Sequence, residues 1–289
     1  MSRNKYQFGN QLPIFSLALL WLFQVVNFSC SKTAQEDKSW FFVQITDPQL
    51  GFYPDSLEKE IRHYEQAVKR INEINPDFVV ITGDLVHVSK DENQLAEYKR
   101  ITDMIRSDIP VYQIPGNHDV ENEPTDADIT FYKSRYGDDK FSFVHKDHLF
   151  IGINSNLIKA HTPAFEEEQL TWLTNELQKS HSYKSTIVFS HHPFFSKDIN
   201  EPEAYFNVDS ASRHQYFELF ASSGVQAVFA GHHHQNSHGV FNGIEMVTTS
   251  AIGEPLGKDP VGFRLVKLDD NREQLKHQYF ALDSIPDKF

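Results

Sequence analysis

The sequence has a single cysteine, Cys30, among its 289 residues, so no disulfide bond can form within the chain. It is also short of basic residues: 27 lysines and arginines stand against 40 aspartates and glutamates, which gives a net charge of −13. Such a surface repels polyanions, and we therefore expect no nucleic-acid partner. The 39% hydrophobic and 23% charged residues are typical of a folded globular protein.

Long hydrophobic runs are lacking as well. The longest clean run, residues 13–23, is shorter than the roughly 20 apolar residues that a membrane-spanning helix needs. It follows Arg3 and Lys5 and gives way to small and polar residues, which is the order of a signal peptide. We therefore expect residues 1–30 to be an export signal, with a transmembrane anchor as the alternative.

Cys30 stands where this hydrophobic segment ends, and it resembles the cysteine of a bacterial lipobox. That motif implies an exported lipoprotein, anchored to a membrane by lipid on Cys30 and facing the periplasm or the cell surface. Asn27 departs from the motif, which usually has an aliphatic residue there, so ordinary cleavage beside an incidental cysteine is the alternative. Residues 31–40 are then a polar linker and residues 41–289 one domain.

Short hydrophobic runs alternate with helical patterns after residue 40. The runs are rich in Val, Ile and Phe and predict buried strands, while apolar residues spaced by three and four predict helices between them. This alternation favours an α/β fold, a two-sheet mixed β-sandwich flanked by helices. The predicted strands are 41–46, 78–82, 111–115, 185–190 and 225–230, the helices 57–74, 93–105, 165–179 and 211–222, and the hairpins 141–155, 239–250 and 262–282.

Polar side chains follow the five predicted strands at the point where each strand ends. Open α/β sheets bind ligands outside the carboxyl ends of their strands, so we expect these side chains to converge. Any one of the segments is explained equally well by a turn or a helix cap. Five together, all with oxygen or imidazole groups, predict a metal site. The residues are Asp47, Gln49, Asp84, His87, Asn117, His118, His191, His232 and His234.

The order of these segments, D-x-[HQ], G-D, G-N-H-D, H-x-P and G-H-x-H, resembles the calcineurin-like metallophosphoesterase superfamily over residues 41–252. Finer segments, among them ITDPQLG, PGNHDVEN and AIGEPLGKDPVGFRLV, are similar to the branch named for complete serine/threonine protein phosphatase. The resemblance implies the metallo-dependent phosphatase fold and an enzyme that hydrolyses phosphate esters. The substrate class is not part of what these segments imply.

The resemblance also implies a role for each residue. Two divalent ions would clamp the attacking and leaving oxygens and deprotonate a water between them, with Asp84 shared by both ions and His118 acting as the general acid. One ion would be held by Asp47, Gln49, Asp84 and His234, and the other by Asp84, Asn117, His191 and His232.

Gln49 departs from the commoner pattern of the superfamily, which has histidine at this position. An amide oxygen is a harder ligand than imidazole, which favours Mn²⁺ or Mg²⁺ over Zn²⁺ at this position. We expect two divalent ions, Mn²⁺ first, with Fe, Zn²⁺ and Mg²⁺ as the alternatives. The alternative is that Gln49 caps a turn in a loop without metal. A site with only Asp47 and Asp84 as carboxylate ligands keeps a net positive charge, which suits a phosphate dianion.

The expected substrate is a phosphate monoester, either a phosphorylated small molecule or a phosphoprotein. Phosphodiester hydrolysis at the same centre is the alternative, and a basic side chain facing a terminal dianion would distinguish the two. A non-catalytic surface protein or a metal scavenger would not need both Asp84 and His118. The oligomeric state is not predicted. Tyr205 and Phe206 either line the pocket or pack in the fold, and the candidate substrate-binding residues are His87, Asn122, Asn207 and Arg213.

Overall fold

Two mixed β-sheets form the frame of the protein in a computed structural model, which describes residues 39–53, 57–269, 274–284 and 286. The predicted export signal, the lipobox and almost all of the linker lie outside the described residues. Within the described ranges, no helix is both long and apolar enough to cross a membrane.

The first sheet has five strands in the order β11-β10-β1-β2-β3, of which β1, β2 and β3 are parallel. The second has six in the order β4-β5-β6-β7-β9-β8, with β5, β6, β7 and β9 parallel to their neighbours in that run. The strands are β1 Ser39–Ile45, β2 Val79–Thr82, β3 Val111–Ile114, β4 Phe141–His145, β5 His148–Gly152, β6 Ser185–Phe189, β7 Val225–Ala230, β8 Ser237–Phe241, β9 Ile244–Thr248, β10 Gly262–Asp269 and β11 Gln274–Ala281.

Phenylalanine rings fill the space between the two sheets. Phe42 of β1 stacks on Phe78, with ring centroids 4.7 Å apart, and meets Phe150, Phe189 and Phe229 of the second sheet edge-on. All five rings are buried. Large aromatic side chains contribute much apolar area and pack in defined tilted pairs, so this layer fixes how the strands of the two sheets face each other.

Helices cover the outer faces of the sheets. The first has an apolar stripe of Tyr64, Ala67, Val68 and Ile71, spaced by three and four, which is buried in the core. Asp91 and Asp209 cap the helices that follow them by accepting hydrogen bonds from backbone N–H groups. The helices are α1 Glu58–Ile74, α2 Glu92–Thr102, α3 Asn117–Val120, α4 Asp126–Tyr136, α5 Ser155–Lys159, α6 Pro163–Leu177 and α7 Ser210–Ser222, with a 3₁₀ turn at Ser180–Ser182.

The predicted fold class is confirmed: two mixed sheets flanked by helices. The five predicted strands and four predicted helices are present, with ends displaced by at most three residues. The Asn242-Gly243 turn has both residues at positive φ, 51° and 80°, as a tight hairpin requires. Residues 270–273, in the middle of the predicted hairpin 262–282, lie outside the described residues. Helices α3, α4 and α5 were not predicted.

Candidate metal centre

The predicted ligands follow strands of both sheets, and the structure brings them together. Asp47 and Gln49 come after β1, Asp84 after β2 and Asn117 after β3. His191 follows β6, and His232 and His234 follow β7. All seven side chains are buried. The ligands therefore follow the carboxyl ends of three parallel strands of one sheet and two of the other, where the sequence predicts polar side chains to converge.

Backbone strain is concentrated at these residues. Left-handed φ angles are uncommon outside glycine and cost about 1–3 kcal/mol each. Eleven non-glycine residues in the described ranges have positive φ, and nearly half of them belong to the predicted ligand set. Such strain persists where the surrounding structure holds a functional geometry. The five are Asp47 (52°), Gln49 (37°), Asp84 (48°), His232 (63°) and His234 (53°).

His191 shows why a cation belongs here. Its Nδ1 donates to the carbonyl of Thr82 at 2.8 Å. Its other nitrogen, Nε2, lies 3.3 Å from Asp84 Oδ1 and 3.2 Å from both Asn117 Oδ1 and His232 Nδ1. One proton on Nε2 cannot serve three acceptors at once. A metal ion can bind all four atoms, and a carbonyl that orients a ligating imidazole is the usual arrangement.

His234 and Asp47 repeat the pattern on the other side. His234 Nδ1 donates to the Glu254 carbonyl at 2.6 Å, and its Nε2 lies 3.4 Å from Asp47 Oδ1. Asp47 Oδ2 accepts from Thr46 Oγ1 at 2.6 Å and from the His232 N–H at 3.0 Å. Its Oδ1 is buried and has no hydrogen-bond partner among the described residues. A buried oxygen left bare in this way is an expected metal ligand.

Asp84 joins the two groups. The ligand atoms of Asp84, His191 and His232 lie within 4.8 Å of one another, and so do those of Asp47, Asp84 and His234. This is the arrangement of two ions that share one carboxylate, and the donor set fits it. Gln49 Nε2 lies 3.5 Å from Asp84 Oδ2, and its Oε1 is buried without a partner among the described residues. A half-turn of the amide group would exchange the positions of Nε2 and Oε1 and turn the oxygen toward Asp84.

The charges also call for a cation. Burial lowers the pKa of His232 to about 3, which leaves the neutral imidazole that metals bind. Burial likewise opposes protonation of His191, yet the carboxylate of Asp84 raises its pKa to about 9. Burial opposes ionisation of Asp84, but the charge of His191 outweighs it and lowers the pKa of that carboxyl. Without metal, a proton on His191 supplies the positive charge that the carboxylate requires.

His118, the predicted acid, lies half-buried at the edge of the ligand cluster. Its Nδ1 donates to the His87 carbonyl at 2.8 Å, which leaves Nε2 for a substrate. The His87 ring stacks on it with centroids 4.6 Å apart. Burial, and then the charge of His118, lower the pKa of His87. His87 thus holds the His118 ring in place through its backbone carbonyl and through ring stacking.

Asp119 is a residue that the sequence reasoning missed. Its buried carboxylate accepts from the backbone N–H groups of Leu85, Val86 and Gly116 at 3.0, 3.3 and 2.8 Å. It thereby ties the loop that carries Asp84 to the start of α3. The signal was its place three residues after Gly116, where a carboxylate caps a helix.

Two glycines allow the ligand loops to approach. A Cβ at Gly116 would lie 2.1 Å from Asp84 Oδ1, and one at Gly231 would lie 1.8 Å from Thr46 Oγ1 and 2.6 Å from Asp47 Oδ2. Any side chain at either position would displace a predicted metal ligand. Glycine is therefore required in the G-N-H-D and G-H-x-H segments because the backbone approaches the ligand side chains too closely for a Cβ.

Two predicted substrate-binding residues have other positions, which corrects the sequence interpretation. Arg213 is fully buried and donates to the carbonyls of Val208, Ile199 and Glu201. A guanidinium enclosed in this way cannot meet a substrate dianion. Asn207 is also fully buried, and its amide is bonded within its own loop.

Asn122 lies exposed between α3 and α4. The side chains of Asn207 and Arg213 are therefore not available to a substrate at the ligand cluster. A substrate-binding role for Asn122 stays a prediction.

A second histidine–carboxylate group lies elsewhere on the described surface. Glu245 Oε2 is 2.9 Å from His238 Nε2 and 3.0 Å from His277 Nε2. Arg264 Nη1 donates to His277 Nδ1 at 2.9 Å, which places the proton of a neutral His277 on Nε2. That nitrogen donates to Glu245 and has no lone pair for a metal. This group is a hydrogen-bonded cluster.

Comparison with known proteins agrees with this geometry. The profile of the calcineurin-like phosphoesterase family matches residues 42–236, more than half of the chain. The chain belongs to this family. The serine/threonine-protein phosphatase CPPED1 of Bos taurus is 36% identical over 282 residues, covering 90% of each chain. The human protein of that name is 34% identical over 281 residues, covering 88% of this chain and 89% of its own.

A solved dimetal phosphatase from Danio rerio shares the fold of this calcineurin-like phosphoesterase, with a TM-score of 0.66 at 14% identity over 84% of this chain and 96% of the other. The predicted family, fold and enzyme class are confirmed: the chain is a hydrolase of phosphate esters. The family uses a dinuclear metal centre, and the residues of this chain fit one.

Proposed function

We propose that this phosphoesterase is a phosphomonoesterase that uses two Mn²⁺ ions. The observation that carries the proposal is the position of Asp84 in both ligand groups, with the carboxylate and histidine ligand atoms of each group within 4.8 Å of one another. When bound, two such ions stabilise the charge on the attacking and leaving oxygens and acidify a water. The similarity to protein phosphatases over most of the chain supports a monoester in preference to a diester.

The residues of the chain supply the rest of the chemistry. Asp47, Gln49 and His234 would hold one ion, and Asn117, His191 and His232 the other, with Asp84 between them. In its imidazolium form, with both ring nitrogens protonated, His118 would keep Nδ1–H on the His87 carbonyl and give the proton of Nε2 to the leaving oxygen. A positioned acid of this kind contributes about 10²–10⁴-fold to the rate.

The two amide ligands support Mn²⁺. Gln49 and Asn117 offer hard oxygen donors, which suit Mn²⁺ or Mg²⁺ better than Zn²⁺. The proposed substrates are a phosphorylated small molecule or a phosphoprotein. The proposal on metal identity fails if the purified protein carries zinc and gains no activity when zinc is replaced by manganese.

The test is hydrolysis of para-nitrophenyl phosphate and of its bis-ester by metal-stripped protein that is then given Mn²⁺, Mg²⁺ or Zn²⁺. We expect metal-dependent turnover, fastest with Mn²⁺, and a higher kcat/KM for the monoester. A higher kcat/KM for the bis-ester would make the protein a phosphodiesterase. Two bound ions without turnover of either ester would favour a non-catalytic binding protein.

We also propose that the chain is exported and anchored by lipid on Cys30, on the grounds of the sequence pattern around residues 13–30. The test is labelling with palmitate in a bacterial host, followed by separation of membranes. The wild type should carry label and sediment with membranes, whereas Cys30→Ser should lose both properties. An unlabelled wild type would support ordinary cleavage near Cys30.

A further inference from the structure

The loop between β6 and α7 contains no regular element, yet it is held tightly. The Glu201 carboxylate accepts from the backbone N–H of Ser196 and Lys197 at 2.8 and 3.1 Å and from Asn207 Nδ2 at 2.8 Å. Asn207 Oδ1 in turn accepts from the N–H of Ala204 at 2.8 Å. The Glu201 carboxylate and the Asn207 amide thus hold the loop in one conformation through local hydrogen bonds.

Two cationic side chains also bind backbone carbonyls of this loop, which comprises residues 190–209. Arg213 donates to the carbonyls of Ile199 and Glu201 at 2.9 and 2.7 Å, and Lys159 Nζ donates to those of Ala204 and Asn207 at 2.9 and 2.8 Å. Charge-assisted hydrogen bonds are stronger than neutral ones. The loop is therefore organised before any substrate arrives.

Tyr205 is the residue that this loop presents to the metal centre. Its hydroxyl lies 3.3 Å from Asn117 Nδ2, and its ring centroid is 5.1 Å from that of His232. The next residue, Phe206, stacks on His233 at 4.3 Å. Tyr205 nevertheless remains 64% exposed. Tyr205 thus combines contact with two predicted ligands and exposure to solvent, which a side chain that meets a bound substrate requires.

The hydroxyl has one contact that determines its direction. Asn117 Nδ2 can only donate, so the Tyr205 oxygen accepts from it, and the phenolic proton remains available for another group. Asn117 Oδ1 lies on the other side of the amide, 3.2 Å from His191 Nε2, in a contact that does not involve Tyr205. Tyr205 thus contacts a predicted ligand and keeps its own donor free.

We propose that Tyr205 donates this proton to a non-bridging oxygen of the bound phosphate and so favours monoesters over diesters. A monoester has three non-bridging oxygens and a diester has two, so an additional donor stabilises the monoester more. Arg213, the cation that the sequence suggested for this task, is buried beneath the loop. The proposal rests on the monoesterase function proposed above.

The test measures binding by calorimetry to Mn²⁺-loaded protein, with orthophosphate as the monoester probe and dimethyl phosphate as the diester probe. Tyr205→Phe removes the hydroxyl and keeps the ring, and Tyr205→Ala removes both. Tyr183→Phe, near the amino end of β6 and so at the opposite end of that strand from the site, is the matched control. Affinity for Mn²⁺ is measured for each variant, together with kcat and KM for para-nitrophenyl phosphate.

We expect Tyr205→Phe to weaken orthophosphate about 10-fold, which corresponds to about 1.4 kcal/mol, and dimethyl phosphate by less than 3-fold. Mn²⁺ affinity should stay unchanged, and KM for the monoester should rise. Equal loss for both probes, weaker Mn²⁺ binding or no change at all would each overturn the proposal. A wild type that binds orthophosphate but hydrolyses neither ester would instead refute the monoesterase function, since the binding comparison does not depend on turnover.

Discussion

The backbone N–H of His118 donates to Oδ1 of Asp84 at 2.9 Å, so the predicted acid and the predicted bridging carboxylate are directly joined. The bond comes from the main chain of α3, and it does not depend on the imidazole. The side chain of His118 can therefore be removed without releasing Asp84. This separates the role of His118 in the reaction from any role in metal binding.

His118→Ala should keep two Mn²⁺ ions per chain and lose about 10²–10⁴-fold in kcat, the usual contribution of a general acid. Metal content after dialysis and kcat for para-nitrophenyl phosphate measure the two effects. Loss of both ions from the variant would identify His118 as a ligand.

Asp84→Ala should abolish both metal binding and turnover, because Asp84 contributes to both ligand groups. The matched control is Asp103→Ala, which removes a carboxylate that is 62% exposed at the end of α2. Circular dichroism establishes that each variant is folded. Turnover near the wild-type rate in folded Asp84→Ala would refute the assignment of the site.

Arg213→Met should lower the free energy of unfolding by about 3 kcal/mol or more, because the buried carbonyls of Val208 and Ile199 and the partly buried one of Glu201 lose their donor. Arg62→Met, at a side chain that is 66% exposed, should change it by less than about 0.5 kcal/mol. Urea denaturation measures both. An unchanged stability with a raised KM would restore the substrate-binding role that the sequence suggested for Arg213.

Glu245→Gln should destabilise the fold in a pH-dependent way. The hydrogen bond from His277 is the largest influence on Glu245 and lowers its pKa from the ordinary value of 4.5. Burial opposes this, the hydrogen bond from His238 lowers the pKa further, and the net shift is downward. A carboxyl with a lowered folded pKa stabilises the fold above its unfolded pKa, and the effect disappears as pH falls through the folded value. We expect a loss of about 1 kcal/mol at pH 7 for this partly exposed group.

The measurement is urea denaturation of metal-free Glu245→Gln and wild type at pH 7 and at pH 3.5. The difference in unfolding free energy should shrink at the lower pH. Glu123→Gln, at an exposed position, is the control and should show no difference at either pH. An equal difference for Glu245→Gln at both pH values would mean that its charge is not involved.

The sequence predicted the positions of the candidate ligands well where strands end in short polar segments. The run from β2 to Asp84 and that from β7 to His232 and His234 have only one way to place their polar residues, at the carboxyl end of a buried strand. The same logic placed His191 after β6. The spacing of apolar residues and the ends of strands are local features, so they can be predicted without knowledge of the rest of the chain.

The loop before α7 could not be predicted in this way. Arg213 looks like a surface cation in the sequence, because nothing local shows that distant carbonyls enclose it. Asn207 and Tyr205 are close neighbours in the chain, yet one is fully buried and the other 64% exposed. Their roles depend on how the loop folds around Glu201, and the spacing of apolar residues in the sequence does not indicate that conformation.

The two sheets contribute different ligands to one centre: Asp47, Gln49, Asp84 and Asn117 come from the five-stranded sheet, and His191, His232 and His234 from the six-stranded one. Ions bound between them act as cross-links across the sandwich. By mass action, each tenfold rise in free metal above its dissociation constant adds about 1.4 kcal/mol per ion to the free energy of unfolding. The stability of the folded protein then depends on the concentration of free metal around it, and we expect a chelator to destabilise the fold as well as to stop the reaction.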